Sequence, residues 1–295
     1  MLRSLLFVPG YTDMLEKAWK RCQKADAIIP DLEDSVPEQE KENARKAVCE
    51  FLSKVEQTHS SPLLIPRVNS FFSPHFSEDV ESVLASGGKK LYGISVGKVD
   101  TAEEMASISE FISRAEKKSG VKEGSVKLVP WLETAKGIVN AFPISSSSPR
   151  IVGVAYGADD YRADMQISRS AEEASRFARH CISVAARAAG VLALDTPWVA
   201  IKDIAGLDKY VSETKDMGYK GMFAIHPSHL DNLNSGFSPS REEVEGAIKI
   251  VEAFEEAVRQ GKGSTSVDSK MVDIPVYRRS KRLLQIAKQM ESKSK

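Results

Sequence analysis

Eight short apolar runs, each separated from the next by a longer and mostly amphipathic stretch, constrain this chain more than any other feature. The runs occupy residues 3–9, 27–32, 63–68, 91–96, 127–132, 151–156, 192–196 and 222–225. Gly, Pro or acidic residues bound them, as expected of buried strands. Helix-like periodicity fills residues 11–24, 39–57, 102–118, 169–189 and 207–217. Eight strands separated by crossovers predict an α/β fold, a (β/α)8 TIM barrel. An open doubly wound sheet has a similar rhythm. Its dinucleotide fingerprint is missing, because the first strand–helix turn reads PGYTDM and not GxGxxG.

The pattern changes after the eighth strand. Ser240 with Glu243 has the spacing of a capping box and starts a helix. A Gly/Ser stretch at 261–266 follows, then a loop and a last basic amphipathic helix. The expected division is a barrel over residues 1–235 and a C-terminal helical extension over 236–295. A flexible connector before an amphipathic helix also permits exchange of the extension between subunits. The serines at 145–148 are expected to form a loop before the sixth strand.

Charge narrows the choice of partners. Lys plus Arg number 41 and Asp plus Glu number 41, so the chain is formally neutral. Neither nucleic acid nor an anionic membrane is expected to bind it. Cys22, Cys49 and Cys181 are far apart with no CxxC pair, which predicts a reducing, cytoplasmic setting. No apolar run approaches the roughly 20 residues of a membrane helix. With a strand expected from residue 2, no leader peptide is expected.

In a (β/α)8 barrel, chemistry collects at the C-terminal ends of the strands. The second strand ends in PDLEDS, with Asp31, Glu33 and Asp34. The third ends with Arg67 and Asn69, the fourth with Lys98, the fifth with Glu133, and the sixth in YGADDY, with Asp159 and Asp160. Adjacent strands lie about 4.8 Å apart. Acids from strands five and six can therefore share one ion. Carboxylates without His or Cys suit a hard cation, most simply Mg2+. Glu133 with either Asp159 or Asp160 is the candidate pair, and Arg67 stands on the same rim. Asp31, Glu33 and Asp34 either order waters on that metal or cap the helix beginning near Pro37. His226 is more readily explained by packing at a helix start than as a base. His59, His75, His180 and His229 lack ligand-like spacing. There is no GxSxG elbow, and the aromatic residues are scattered.

Seven segments occur in order: RSLLFVPG, DLEDSV, PRVNS, LETAKGIVNA, YGADDY, AIHPSHL and VDSKMVDIPV. Together they resemble the citrate lyase β-subunit family, the CitE-like branch of the HpcH/HpaI aldolase superfamily, from Arg3 to about Gln289. The resemblance implies a barrel with a C-terminal extension. It implies a carbon–carbon lyase that cleaves or forms 3-hydroxyacyl thioesters of the citryl, malyl or citramalyl type, carried on CoA or an acyl carrier protein. It assigns the metal to Glu133 and Asp160 and leaves Asp159 beside them. Arg67 becomes the substrate-binding arginine and stabilises the thioester oxygen. Asp268 becomes the general acid, carried by the extension, and the chains form a homotrimer or hexamer. The chain departs from the pattern at Ser269, where the family has Gly. It departs again at Gly97, where Pro is commoner, and at YRADM after Asp160. The last two changes can reshape the acyl pocket. Glu33, Asp34, Asp159 and Lys98 are the supporting candidates. Two other readings share part of this set: a metal-dependent pyruvate or oxaloacetate aldolase on free acids, and a non-catalytic scaffold subunit.

Overall fold

The structure is a computed structural model and describes residues 2–11, 13–168, 170 and 172–293. The chain divides into two compact units, Met1–Asn234 and Ser235–Lys295.

The first unit is a closed barrel of parallel strands. In chain order they are β1 (Ser4–Pro9), β2 (Ala27–Asp31), β3 (Leu63–Leu64), β4 (Arg67–Val68), β5 (Gly93–Val96), β6 (Lys127–Leu132), β7 (Gly153–Tyr156), β8 (Leu192–Asp195) and β9 (Gly221–Ala224). Pairing runs β1-β9-β8-β7-β6-β5-β4-β2, and β1 pairs with β2 to close the circle. The third barrel strand is broken into β3 and β4 by Pro66, which has no N–H to give a ladder. Both pieces pair with β2, at Ile28↔Leu64 and at Asp31↔Arg67. The eight-stranded (β/α)8 architecture is therefore the one the alternation predicts.

Strand alternation decides which side chains fill the barrel. Leu5, Ala27, Ile29, Ile65, Val129, Trp131, Ala155, Leu194 and Phe223 form one buried cluster. Near the top, Phe7, Trp131 and Phe223 close into a ring trio, with centroids 5.7, 5.2 and 4.3 Å apart. Trp131 donates its indole N–H to Ser95 Oγ at 2.8 Å. The Arg67 guanidinium lies over the Phe7 ring, 4.7 Å from its centroid. An aromatic floor thus supports the rim, and truncating one of its buried rings to Ala costs about 3–5 kcal/mol.

Several boundaries differ from the sequence reading. The second helix begins with a 3-10 turn at Glu38–Glu40 and continues over Lys41–Lys54. Residues 169 and 171, at the expected start of another helix, lie outside the described residues; the helix runs Glu172–Ala189. The expected serine loop is partly helical, since helix Ala141–Ser146 runs into it. Ser145 and Ser146 donate to the carbonyls of Ala141 and Phe142, so their hydroxyls are satisfied without leaving the helix.

In the second unit, Ser240 and Glu243 form the capping box of helix Arg241–Arg259. The expected loop after it contains a hairpin, β10 (Thr265–Val267) and β11 (Lys270–Val272). Its two turn residues, Asp268 and Ser269, have φ of 47° and 59°. This is the left-handed two-residue turn that usually takes Asn-Gly or Asp-Gly. Helix Ile274–Lys293 packs on Arg241–Arg259, with Tyr277 stacked on Phe254 at 4.8 Å.

Candidate metal and substrate site at the barrel rim

Arg67 is the centre of the rim. It stands where β4 pairs with the end of β2, directly opposite Asp31. Its Nε and Nη2 donate to the two oxygens of Asp31, each at 2.7 Å. Its Nη1 lies 3.0 Å from Asp34 Oδ2 and 3.1 Å from Glu33 Oε2. Burial disfavours the guanidinium charge, but Asp31, Glu33 and Asp34 outweigh it and hold the group charged well above its ordinary range. Asp31 moves the other way. Burial raises its pKa, and the Arg67 charge and hydrogen bonds more than offset this. The fork fixes the guanidinium plane and leaves an Nη2 hydrogen free of these acids.

The loop carrying the acids is braced from below. Lys41 is buried, and its Nζ donates to the carbonyls of Leu32 and Glu33 and to Asn69 Oδ1, all at 2.8 Å. Asn69 donates to Leu32 O and to Asp79, which pairs with Arg45. Asp31, Glu33 and Asp34 therefore do not form a helix cap. Their carboxylates face Arg67, and Asp31 also accepts the N–H groups of Glu33 and Ser35. Sequence reasoning missed Lys41, and a buried Lys seven residues beyond an acidic loop carries no motif.

Glu133 continues the inward series Val129, Trp131, Glu133 and is 2% exposed. It is threaded between two glycines. A Cβ on Gly157 would lie 2.1 Å from Glu133 Oε2, and one on Gly97 would lie 3.1 Å from Glu133 Oε1 and 2.7 Å from Glu33 Oε1. Gly97, noted in the sequence as a replacement near the acyl pocket, leaves room for two carboxylates here. Lys98, at a left-handed φ of 57°, donates its backbone N–H to Glu133 Oε1 at 2.7 Å. Its Nζ lies 3.4 Å from Asp34, 3.6 Å from Glu33 and 3.8 Å from Asp160. The two aspartates of YGADDY are thereby separated: Asp160 faces Lys98, while Asp159 is 3.4 Å from Arg162.

The electrostatics of this cluster are unbalanced. Asp31, Glu33, Asp34, Glu133 and Asp160 are five acids, and among the described residues Arg67 and Lys98 are the two cations whose side chains pair with them. The two buried glutamates take the strain. Burial, followed by the charges of Glu33 and Asp160, pushes Glu133 up to about 8. Burial, reinforced by Asp34 against the pull of Arg67, pushes Glu33 up to about 7. Both Glu33 oxygens are buried without a hydrogen bond. Lys98 is driven upward, its burial outweighed by Glu33, Asp34 and Asp160. A divalent cation would correct this imbalance. Among the described residues no three His, Cys, Asp or Glu side chains form a complete metal cage. An ion held by Glu133 and Asp160 would keep sites for water and substrate, the mode Mg2+ favours.

Asp268 occupies the hairpin turn of the second unit. His226 accepts from Ser228 N and caps the turn Pro227–His229. His229 is buried, its Nε2 3.1 Å from Ile201 O.

The sequence model of the HpcH/HpaI aldolase/citrate lyase family matches residues 3–227. This chain belongs to that family. The HpcH/HpaI match spans β1 to β9 and therefore every rim residue described above. The chain is 36% identical over 284 residues to the citrate lyase subunit beta of Escherichia coli K12, covering 96% of this chain and 92% of that one. It is 34% identical over 274 residues to a (3S)-malyl-CoA thioesterase of Cereibacter sphaeroides ATCC 17025, covering 92% and 89%. In structure it is similar to the CitE protein of Mycobacterium tuberculosis, solved in complex with magnesium, acetoacetate and coenzyme A. That likeness has a TM-score of 0.78 and 26% identity, and covers 97% of each chain.

Proposed function

We propose that this citrate lyase-family chain is a Mg2+-dependent carbon–carbon lyase acting on a 3-hydroxyacyl-CoA thioester of the citryl, malyl or citramalyl type. The observation that carries this reading is the excess of oxygen-only acids around Glu133, which is confined between Gly97 and Gly157 and feels the charges of Glu33 and Asp160. Its family relatives support it, as does the magnesium and coenzyme A complex of the M. tuberculosis protein.

The reaction breaks the bond between the carbinol carbon and the carbon α to the thioester. The hydroxyl gives up its proton to solvent and becomes the carbonyl of a keto acid, and the bonding electrons pass to the thioester as an enolate. Glu133 and Asp160 would hold the Mg2+, which when bound would supply Lewis acidity toward the reacting substrate oxygens. Arg67, fixed by Asp31, offers its remaining N–H to the thioester oxygen as charge develops there. Lys98 supports Glu133 through its backbone and balances Asp160 and Asp34 through its side chain. Asp268 delivers a proton to the enolate carbon. The extension carries it to its own barrel or to that of a neighbour in a homotrimer or hexamer. The three free cysteines fit a reducing cytoplasmic setting.

The test is a screen of malyl-, citramalyl- and citryl-CoA with Mg2+, following release of glyoxylate, pyruvate or oxaloacetate together with acetyl-CoA. The corresponding free hydroxy acids are run alongside. Cleavage of a thioester and not of its free acid is expected. Cleavage of free acids alone would favour the aldolase reading, and release of free CoA without a keto acid would indicate hydrolysis.

A further inference from the structure

Asp164 lies four residues beyond Asp160, on the same face of helix Ala158–Asp164. It closes the last turn of that helix, where the helix dipole favours cations over acids. Helix stability therefore does not account for it. Its Oδ2 accepts the backbone N–H of Ala135 at 2.7 Å. Ala135 is two residues beyond Glu133 and is the first residue of helix Ala135–Val139, where an N–H has no partner within the helix. One hydrogen bond thus joins the segment bearing Glu133 to the helix bearing Asp160.

The other side of the same turn is also anchored. Thr134 caps Gly137 N, and its hydroxyl donates to Asp100 Oδ1. Asp100 O in turn accepts from Asn140 Nδ2. The turn after Glu133 is therefore pinned to the β5 loop by Asp100 and to helix Ala158–Asp164 by Asp164. Only the second link spans the two carboxylates assigned to the metal.

We propose that Asp164 is a positioning residue that fixes the separation of Glu133 and Asp160 and so sets the affinity of the rim for a divalent cation. This rests on the metal reading above. The working part of Asp164 is its hydrogen-bond acceptor, not its charge, so Asn can replace it and Ala cannot.

The experiment titrates Mn2+ into the full chain by calorimetry, for wild type, Asp164→Asn, Asp164→Ala and Glu133→Gln. Amide exchange of Ala135 is measured in the same proteins. Asp164→Ala should weaken Mn2+ binding about tenfold or more, the usual scale for residues that orient ligands. It should also speed exchange at Ala135, while Asp164→Asn stays close to wild type in both. Mn2+ affinity in Asp164→Ala close to that of wild type would overturn the proposal. So would an equal loss in Asp164→Asn, which would assign the effect to charge. If Glu133→Gln binds Mn2+ as wild type does, the metal reading itself fails, and that outcome is separate from either of the first two.

Discussion

Gly157 and Glu133 share one volume: a Cβ at Gly157 would fall 2.1 Å from Glu133 Oε2 and 2.6 Å from Glu133 Cβ. The in-register pairing Leu132↔Tyr156 places these two positions side by side. Gly157→Ala must therefore displace the Glu133 side chain or the strand end. A displacement of about 1 Å at a reacting site can cost a hundredfold in rate. Steady-state cleavage by Gly157→Ala should fall by about that factor, and the Mg2+ concentration for half-maximal activity should rise. Wild-type values for both would mean that Glu133 is not confined by this glycine.

Arg67→Lys tests the fork. The two bonds from Arg67 to Asp31 define a plane that an ammonium group cannot reproduce. The variant should lose about a hundredfold or more in kcat, the scale of one lost oxyanion donor. Its far-UV circular dichroism should remain that of the folded barrel. A rate close to wild type would remove Arg67 from the chemistry.

The rim was partly legible in the sequence, for identifiable reasons. Counting strand ends placed Arg67, Lys98, Glu133 and the Asp159–Asp160 pair on the rim, and the family resemblance singled out Asp160 from that pair. Gly97 and Gly157 were not recognised as space for Glu133, because that need arises only when neighbouring strands are brought into register. Lys41 braces the acidic loop through contacts made after folding, so nothing local marks it. The hairpin was read as a loop because Ser269 occupies a left-handed position that usually takes Gly.

Away from the rim, Glu116 and Arg150 form a fully buried pair, with 2.7 Å between Glu116 Oε2 and Arg150 Nη2. Glu116 also accepts the N–H groups of Gly124 and Val126. Burial raises its pKa, but Arg150 and these two donors outweigh it, so the folded value lies below the ordinary one. Its contribution is present above the unfolded pKa and is lost as pH falls through the folded one. Glu116→Gln should cost about 3 kcal/mol near neutral pH, the scale for breaking a buried pair. The gap from wild type should narrow below about pH 4. Urea denaturation at pH 7 and at about pH 3 checks it; a gap independent of pH would contradict the assignment.

Subunit sharing is tested by mixing. Asp268→Ala and Glu133→Ala chains, each expected to be inactive alone, are combined under conditions that permit exchange. Recovered activity is expected if the extension of one chain completes the barrel of another. No recovery from mixed oligomers, verified by mass spectrometry, would assign Asp268 to its own barrel or remove it from catalysis.

The central claim is that Glu133 and Asp160 hold the Mg2+ that drives thioester cleavage, while Asp159, turned toward Arg162, does not. The most direct measurement is keto-acid release from the cleaved thioester with Mg2+, before and after EDTA, in wild type, Asp160→Asn and Asp159→Asn. Wild-type turnover should vanish with EDTA and return with Mg2+. Asp160→Asn should be inactive at any Mg2+ concentration, and Asp159→Asn should keep most of its activity. Turnover that survives EDTA, or an inactive Asp159→Asn beside an active Asp160→Asn, would contradict the account.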